Sequence, residues 1–439
     1  MMKKTLLALT CIITLTINAF AQNTFNKAKL DNLLEVLATN NRRMASVAIS
    51  QNGKVIYQKA TGIAATDMPA TVETKYRIGS ISKMFTATLV FQLIDEGKLQ
   101  LNDPLSKWYP KIPGADKTTI GLMLKHRSGL FNFTNDSTYL TYYKQTQTEQ
   151  QQIARFEKLP KAFDPDTKSA YSNTNYVLLG FIAQKVTGKS YAQLIKERIT
   201  GKLGLDKTYA GGAINTKKGE AQSFKYRNGW QPETATDMSI PGGAGAIVST
   251  PAELTRFIEG LFNGKLVSDS SLKVMKRLNG NFGSGMFAYR FDNKTAFGHN
   301  GSIDAFNSAL VYFPDEKFTV AICSNGGTFS VDNLLLASLK IYFGQAYQLP
   351  VFSNVKLTDA ELTKYTGIYG IVQAAMKITI AKKDGVLTAQ ATGQSDFPLE
   401  PIGTDKFGFD PAGIVITFDT AKGELNIEQG SRGTIFKKE

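Results

Sequence analysis

Gly79-Ser80-Ile81-Ser82-Lys83 opens a segment in which Met84, Phe85, Leu89, Val90, Leu93 and Ile94 recur at helical spacing and stop at Gly97. Ser80 and Lys83 are three residues apart, so on a helix they share one face and the amine reaches the hydroxyl. The same position places Ser80 at a helix N-terminus, where unpaired N–H groups favour developing negative charge. A serine hydroxyl is a weak nucleophile until a base takes its proton, and a desolvated lysine can be that base. Taken alone, the spacing equally describes a helix capped by serine.

Two later segments lift it above that reading. Tyr171-Ser172-Asn173 precedes an apolar run at 176–182. A tyrosine can take a hydroxyl proton if neighbouring cations lower its pKa, and Asn173 offers both a donor and an acceptor to a substrate amide or to Lys83. The structural alternative is a helix start capped by Ser172 or Asn173. His299-Asn300-Gly301 stands just before a strand-rich stretch at 305–313, where the glycine would let a substrate backbone lie against a strand edge. The chain has two histidines, His126 and His299, and either can be a satisfied structural residue.

Outward from these motifs, 27–40 predicts a helix, and 46–50 and 55–57 predict strands flanking Asn52-Gly53, a strong hairpin signal because both residues tolerate positive φ. Strands at 308–313 and 318–323 are joined by Pro314-Asp315-Glu316-Lys317. Strands at both ends with helices between predict an α+β fold, one antiparallel sheet packed with helices. Composition shifts near Leu349-Pro350. From Tyr365 short strands at 376–380, 386–391 and 413–419 are broken by turns at 384–385 and 422–423, which predicts a small all-β sandwich or barrel as an accessory C-terminal domain.

Lys3 and Lys4, an apolar core at 6–17 and Ala19-Phe20-Ala21 read as a signal peptide over 1–21. Its removal leaves about 418 of the 439 residues, divided as 22–348 and 355–439, and no later stretch is apolar for long enough to cross a bilayer. An exported protein with no stable membrane anchor after cleavage follows. The mature chain keeps one cysteine, Cys323, inside an apolar run, so no intrachain disulfide forms and the thiol reads as a buried structural group. The formal charge of +14 falls to about +12 without the leader. Export and the lack of any nucleic-acid motif make nucleic acid no partner, and a solvated basic surface is the simpler account of the charge.

With Ser80, Lys83, Tyr171, Asn173, His299 and Gly301 in this order, the chain resembles the serine β-lactamase and penicillin-binding-protein superfamily, in particular its class C-like branch of D,D-carboxypeptidases, D-amino-acid-specific peptidases and esterases. Supporting stretches are Leu101-Asn102-Asp103-Pro104-Leu105, the run 119–130 ending in His126-Arg127-Ser128-Gly129-Leu130, Val186-Thr187-Gly188-Lys189, and Gly242-Gly243-Ala244-Gly245. The tail resembles, more weakly, the lipocalin-like β-domains that follow some of these hydrolases. The resemblance implies a β-lactamase/transpeptidase-like fold over about 27–343. It implies acylation of Ser80, proton transfer shared by Lys83 and Tyr171, and a substrate amide held by Asn173. It further implies an oxyanion hole from the N–H groups of Ser80 and Ser302, and a His299 that positions a carboxylate or assists the tyrosine. His126 would be structural.

His299 and Asn300 depart from the Lys-Thr/Ser-Gly pattern of efficient β-lactamases, so D-amino-acid peptides such as peptidoglycan stem peptides rank first as substrates, carboxylic esters second and β-lactams third. A non-catalytic receptor or scaffold is the reading from a different class. No metal or organic cofactor is implied, and specificity is expected in the loops at 131–152 and 211–240.

Overall fold

The computed structural model describes residues 25–439 except 227–228, 281, 351, 353–356, 372–373, 384, 395, 410–412 and 430–431. The expected signal peptide at 1–21 and Asp384 of the turn at 384–385 therefore lie outside the described residues.

Asn52 and Gly53 take φ values of 52° and 76° and close the hairpin between Arg43–Gln51 and Lys54–Thr61. This hairpin joins a six-stranded antiparallel sheet in the order Phe287–Phe291, Lys294–Ile303, Phe306–Phe313, Phe318–Gly327, Arg43–Gln51, Lys54–Thr61. One of these strands departs from the sequence reading, which placed His299-Asn300-Gly301 ahead of a strand. The motif lies inside Lys294–Ile303, paired with its neighbour from Phe297↔Tyr312 to Ile303↔Phe306. Two glycines and an asparagine give that strand low β-propensity, and pairing along the sheet overrides it.

Alternation along Phe318–Gly327 sends Val320 and Ile322 to one face and Ala321 and Cys323 to the other. The first face packs on helices Lys27–Thr39 and Val331–Tyr342 through Leu34, Leu37 and Leu334. The second packs on the helical layer through residues such as Phe257 and Leu261, which is why the four residues from Val320 to Cys323 are all apolar. Within that layer, helix Ser82–Asp95 is buried on all sides from Ser82 to Leu93. A helix without a solvated face sits at the centre of its layer, and this one lies against Asn173–Thr187 and stacks Phe85 on Phe257 at 3.7 Å.

The tail forms a closed eight-stranded antiparallel barrel from Gly367–Ile371 to Arg432–Lys438, sealed by the pairs Tyr369↔Lys438 and Gly370↔Lys437. Closure removes the free edges that a sandwich would leave. Tyr365, Leu387, Phe407, Ile416, Phe418 and Leu425 fill its interior. Among the described residues no helix is long and apolar enough to cross a membrane.

Candidate active site

Ser80 sits in the short 3-10 turn Gly79–Ile81 that runs into helix Ser82–Asp95. The turn is pressed against the end of strand Lys294–Ile303, and two glycines permit the contact. Gly79 has φ +51°, and a Cβ there would come within 2.8 Å of the Ser302 nitrogen. A Cβ on Gly301 would lie 2.0 Å from the Ile78 carbonyl oxygen. The sequence reading reserved the space at Gly301 for a substrate, but the protein's own backbone fills it. The Ser308 hydroxyl donates to the same Ile78 carbonyl at 2.8 Å and ties the strand pair to the turn.

Lys83 is fully buried, and its Nζ lies 2.9 Å from Ser80 Oγ, 2.8 Å from Asn173 Oδ1 and 2.8 Å from the Ala244 carbonyl oxygen. Burial holds its pKa well below the ordinary lysine range. No carboxylate is among these partners, so the site favours a neutral amine.

Asn173 opens helix Asn173–Thr187, where its N–H donates to Asn132 Oδ1 at 2.9 Å. Its Nδ2 donates to Asn132 Oδ1 and Thr134 Oγ1, which turns Oδ1 toward Lys83. Tyr171, two residues earlier, donates its hydroxyl to Ser80 Oγ at 2.8 Å, and burial pushes its pKa up, so it is a phenol rather than a phenolate. Its ring stacks on His126 at 4.4 Å. His126 is buried, and its Nδ1 accepts from the Ser172 N–H at 3.1 Å, which places the ring proton on Nε2.

His299 is also buried, between Phe287 at 4.5 Å and Tyr171 at 6.3 Å between ring centroids. Burial first, and nearby Lys83 second, push its pKa down to about 3. A neutral imidazole off the cavity wall does not offer charge to a substrate carboxylate, one of the two roles the resemblance implied for it. The sequence reading also missed Asn132 and the Ala244 carbonyl. The first carries no motif; the second lay unremarked within Gly242-Gly243-Ala244-Gly245, where a Cβ on Gly243 would meet the Tyr176 carbonyl oxygen at 2.5 Å.

A cavity of about 360 Å³ opens in front of Ser80, with Asn173, Ala244 and Ser302 also on its wall. Both loops expected to set specificity reach it, 131–152 through Phe133, Thr134, Tyr139, Leu140 and Tyr143, and 211–240 through Lys225, Glu233, Thr234 and Thr236. Arg77, buried, bonds the Thr236 and Gly212 carbonyls and pairs with Asp304 at 3.2 Å, so the second loop is fastened to the strand end beyond Ser302. Among the described residues no cluster of histidine, cysteine and acidic side chains could hold a metal.

Residues 30–340 match the family model described as Beta-lactamase. Penicillin-binding protein 4* of Bacillus subtilis (strain 168) is 25% identical, across 92% of this chain and 98% of that protein. Teichoic acid D-alanine hydrolase of Staphylococcus aureus is 27% identical, across 64% of this chain and 70% of that protein. Among solved structures, the D-stereospecific amidohydrolase from Streptomyces sp. superposes with a TM-score of 0.64 at 26% identity, covering 73% of this chain and 100% of that one.

Proposed function

Because this chain belongs to the Beta-lactamase family, we propose that it is a serine hydrolase in which Ser80 forms an acyl-enzyme with D-amino-acid amides or peptides and Lys83 acts as the activating base. The observation that carries this reading is the bonding around Nζ. Tyr171 donates to Ser80 Oγ, so the serine hydrogen is free to point at Nζ. The two N–H bonds of a neutral amine run to Asn173 Oδ1 and the Ala244 carbonyl, which leaves its lone pair facing that hydrogen.

In acylation the Oγ–carbonyl carbon bond forms as the proton passes to Nζ. The carbonyl oxygen takes up negative charge, stabilised by the N–H groups of Ser80 and Ser302. Collapse breaks the bond to the leaving nitrogen, which receives the proton through the Tyr171 hydroxyl. Water then repeats the sequence on the ester and frees Ser80. Support for D-configured substrates comes from the D-alanine hydrolase and D-stereospecific amidohydrolase to which the chain is similar. Stem-peptide hydrolysis of the D,D-carboxypeptidase type, in the periplasm or outside the cell, is the finer form of the reading and agrees with the leader pattern at 1–21. The C-terminal domain, 355–439, which contains the barrel, serves as an accessory domain.

The test is a panel of D-aminoacyl amides, D-Ala-D-Ala peptides, p-nitrophenyl esters and a chromogenic cephalosporin, run on the wild type and Ser80→Ala alongside a fluorophosphonate label. Hydrolysis of the D-configured amides and labelling of the wild type are expected, with both lost in Ser80→Ala. Undiminished hydrolysis in that variant, or an unlabelled wild type that turns over nothing, overturns the reading.

A further inference from the structure

One wall of the cavity in front of Ser80 is apolar and bare. Leu140 is 74% exposed, the largest fraction among the large apolar side chains described, and it stands on the cavity rim beside Tyr139 and Tyr143. Water-exposed apolar surface on a concave wall gains by being covered, and no described part of the chain covers it.

The wall is also preformed. Tyr139 and Tyr143 stack at 5.8 Å between centroids, and the Asp237 N–H donates to the Tyr143 carbonyl at 2.9 Å. Thr146 donates to Asp237, the Gln147 N–H to Ser239 Oγ, and the Gln152 side chain to the Ser239 carbonyl. The Thr236 N–H in turn bonds Asp304 at 3.0 Å, two residues past Ser302. The segment bearing Leu140 is thus cross-linked to the opposite loop and, through it, to the strand end beside the nucleophile. Preformed apolar surface binds without an ordering cost. The volume, about 360 Å³, equals roughly a dozen waters at their liquid packing, far more than an alanine methyl fills.

We propose that this cavity selects substrates whose D-configured residue at the scissile carbonyl carries a large apolar or aromatic side chain, seated on Leu140 and Tyr143. The inference rests on the D-amino-acid reading above and narrows it away from D-alanine.

The experiment measures kcat/KM for D-phenylalaninamide, D-alaninamide and L-phenylalaninamide on the full chain and on Leu140→Ser and Tyr143→Ala, with thermal melts of each. Leu140 is exposed, so its substitution should leave the melt in place. Wild type should favour D-phenylalaninamide over D-alaninamide by at least roughly tenfold. That ratio should fall by roughly threefold or more in each variant. Equal kcat/KM for the two D-amides, or a ratio that neither substitution moves, overturns the side-chain inference and leaves the D-amino-acid reading standing. Preference for the L-amide, or no turnover of any amide, overturns both.

Discussion

The sheet-and-helix region and the C-terminal barrel solve the same problem differently. The barrel fills its interior with Leu387, Phe407, Ile416, Phe418 and Leu425, and Thr388 is the one polar or charged side chain among its described residues that is counted as buried. The larger region buries Lys83, Arg77, His126, His299, Glu253 and Glu259. Burying ionisable groups is costly unless they are bonded. Two of these are satisfied structurally: Glu253 accepts from the Lys207 N–H and the Thr208 hydroxyl, and Glu259 from Thr319. Burial of charge alone therefore does not mark a site. Lys83 differs because its partners are the proposed nucleophile and two neutral carbonyls beside a cavity, and the described residues of the barrel hold nothing of the kind.

The sharpest break in the comparison is Lys83→Met, which removes the proposed base. Turnover of any acyl substrate should fall about 10⁴-fold, the upper end for a proton-transfer group, as measured by kcat/KM. With Lys83 as the proposed base the active form is the neutral amine, so activity should climb with pH as Lys83 loses its proton and decline on acidification. His299, with its pKa near 3, is neutral throughout the usual assay range and cannot produce that limb. A pH profile of His299→Asn should keep the limb where wild type has it, and its disappearance would transfer the titration to the histidine.

Tyr171→Phe keeps the stack on His126 and deletes the hydroxyl that bonds Ser80. A loss of about 10²-fold in kcat is expected, smaller than for Lys83 because the proposed base remains. Gly301→Ala tests packing rather than chemistry. Its methyl would strike the Ile78 carbonyl, so the turn bearing Ser80 must move. Stability should drop by about 2 kcal/mol, read by denaturant unfolding, with activity falling alongside it.

Much of this was legible because the signals are local. Asn52-Gly53 announces its hairpin in two residues, and the candidate pairs Ser80 with Lys83 and Tyr171 with Asn173 each stand within four residues of sequence. What stayed hidden depends on contacts across the chain. The Ala244 carbonyl meets Lys83 over a separation of 161 residues, and a backbone oxygen leaves no side-chain signature. Gly301 looked like a gap for substrate because the text does not show that Ile78 arrives there. The strand Lys294–Ile303 was illegible for a related reason, since its residues favour turns until a neighbouring strand pairs with them.

The smallest expected effect lies in the barrel. Its described contact with the rest of the chain includes an ion pair between Arg42 and Glu400 that is partly exposed on both sides, and such pairs are worth at most about 1 kcal/mol. No described barrel residue lines the cavity. Ending the chain before Leu357 should therefore change kcat/KM on a small D-aminoacyl amide by less than roughly twofold, under about half a kcal/mol of barrier. Phe418→Ala, which hollows the barrel core, should cost the barrel about 3–5 kcal/mol and add an early unfolding step in calorimetry without moving kcat. If either change cut turnover as deeply as Tyr171→Phe, the division of labour drawn between the two regions would be wrong, and the barrel would have to act on the site through the segment that carries Arg42.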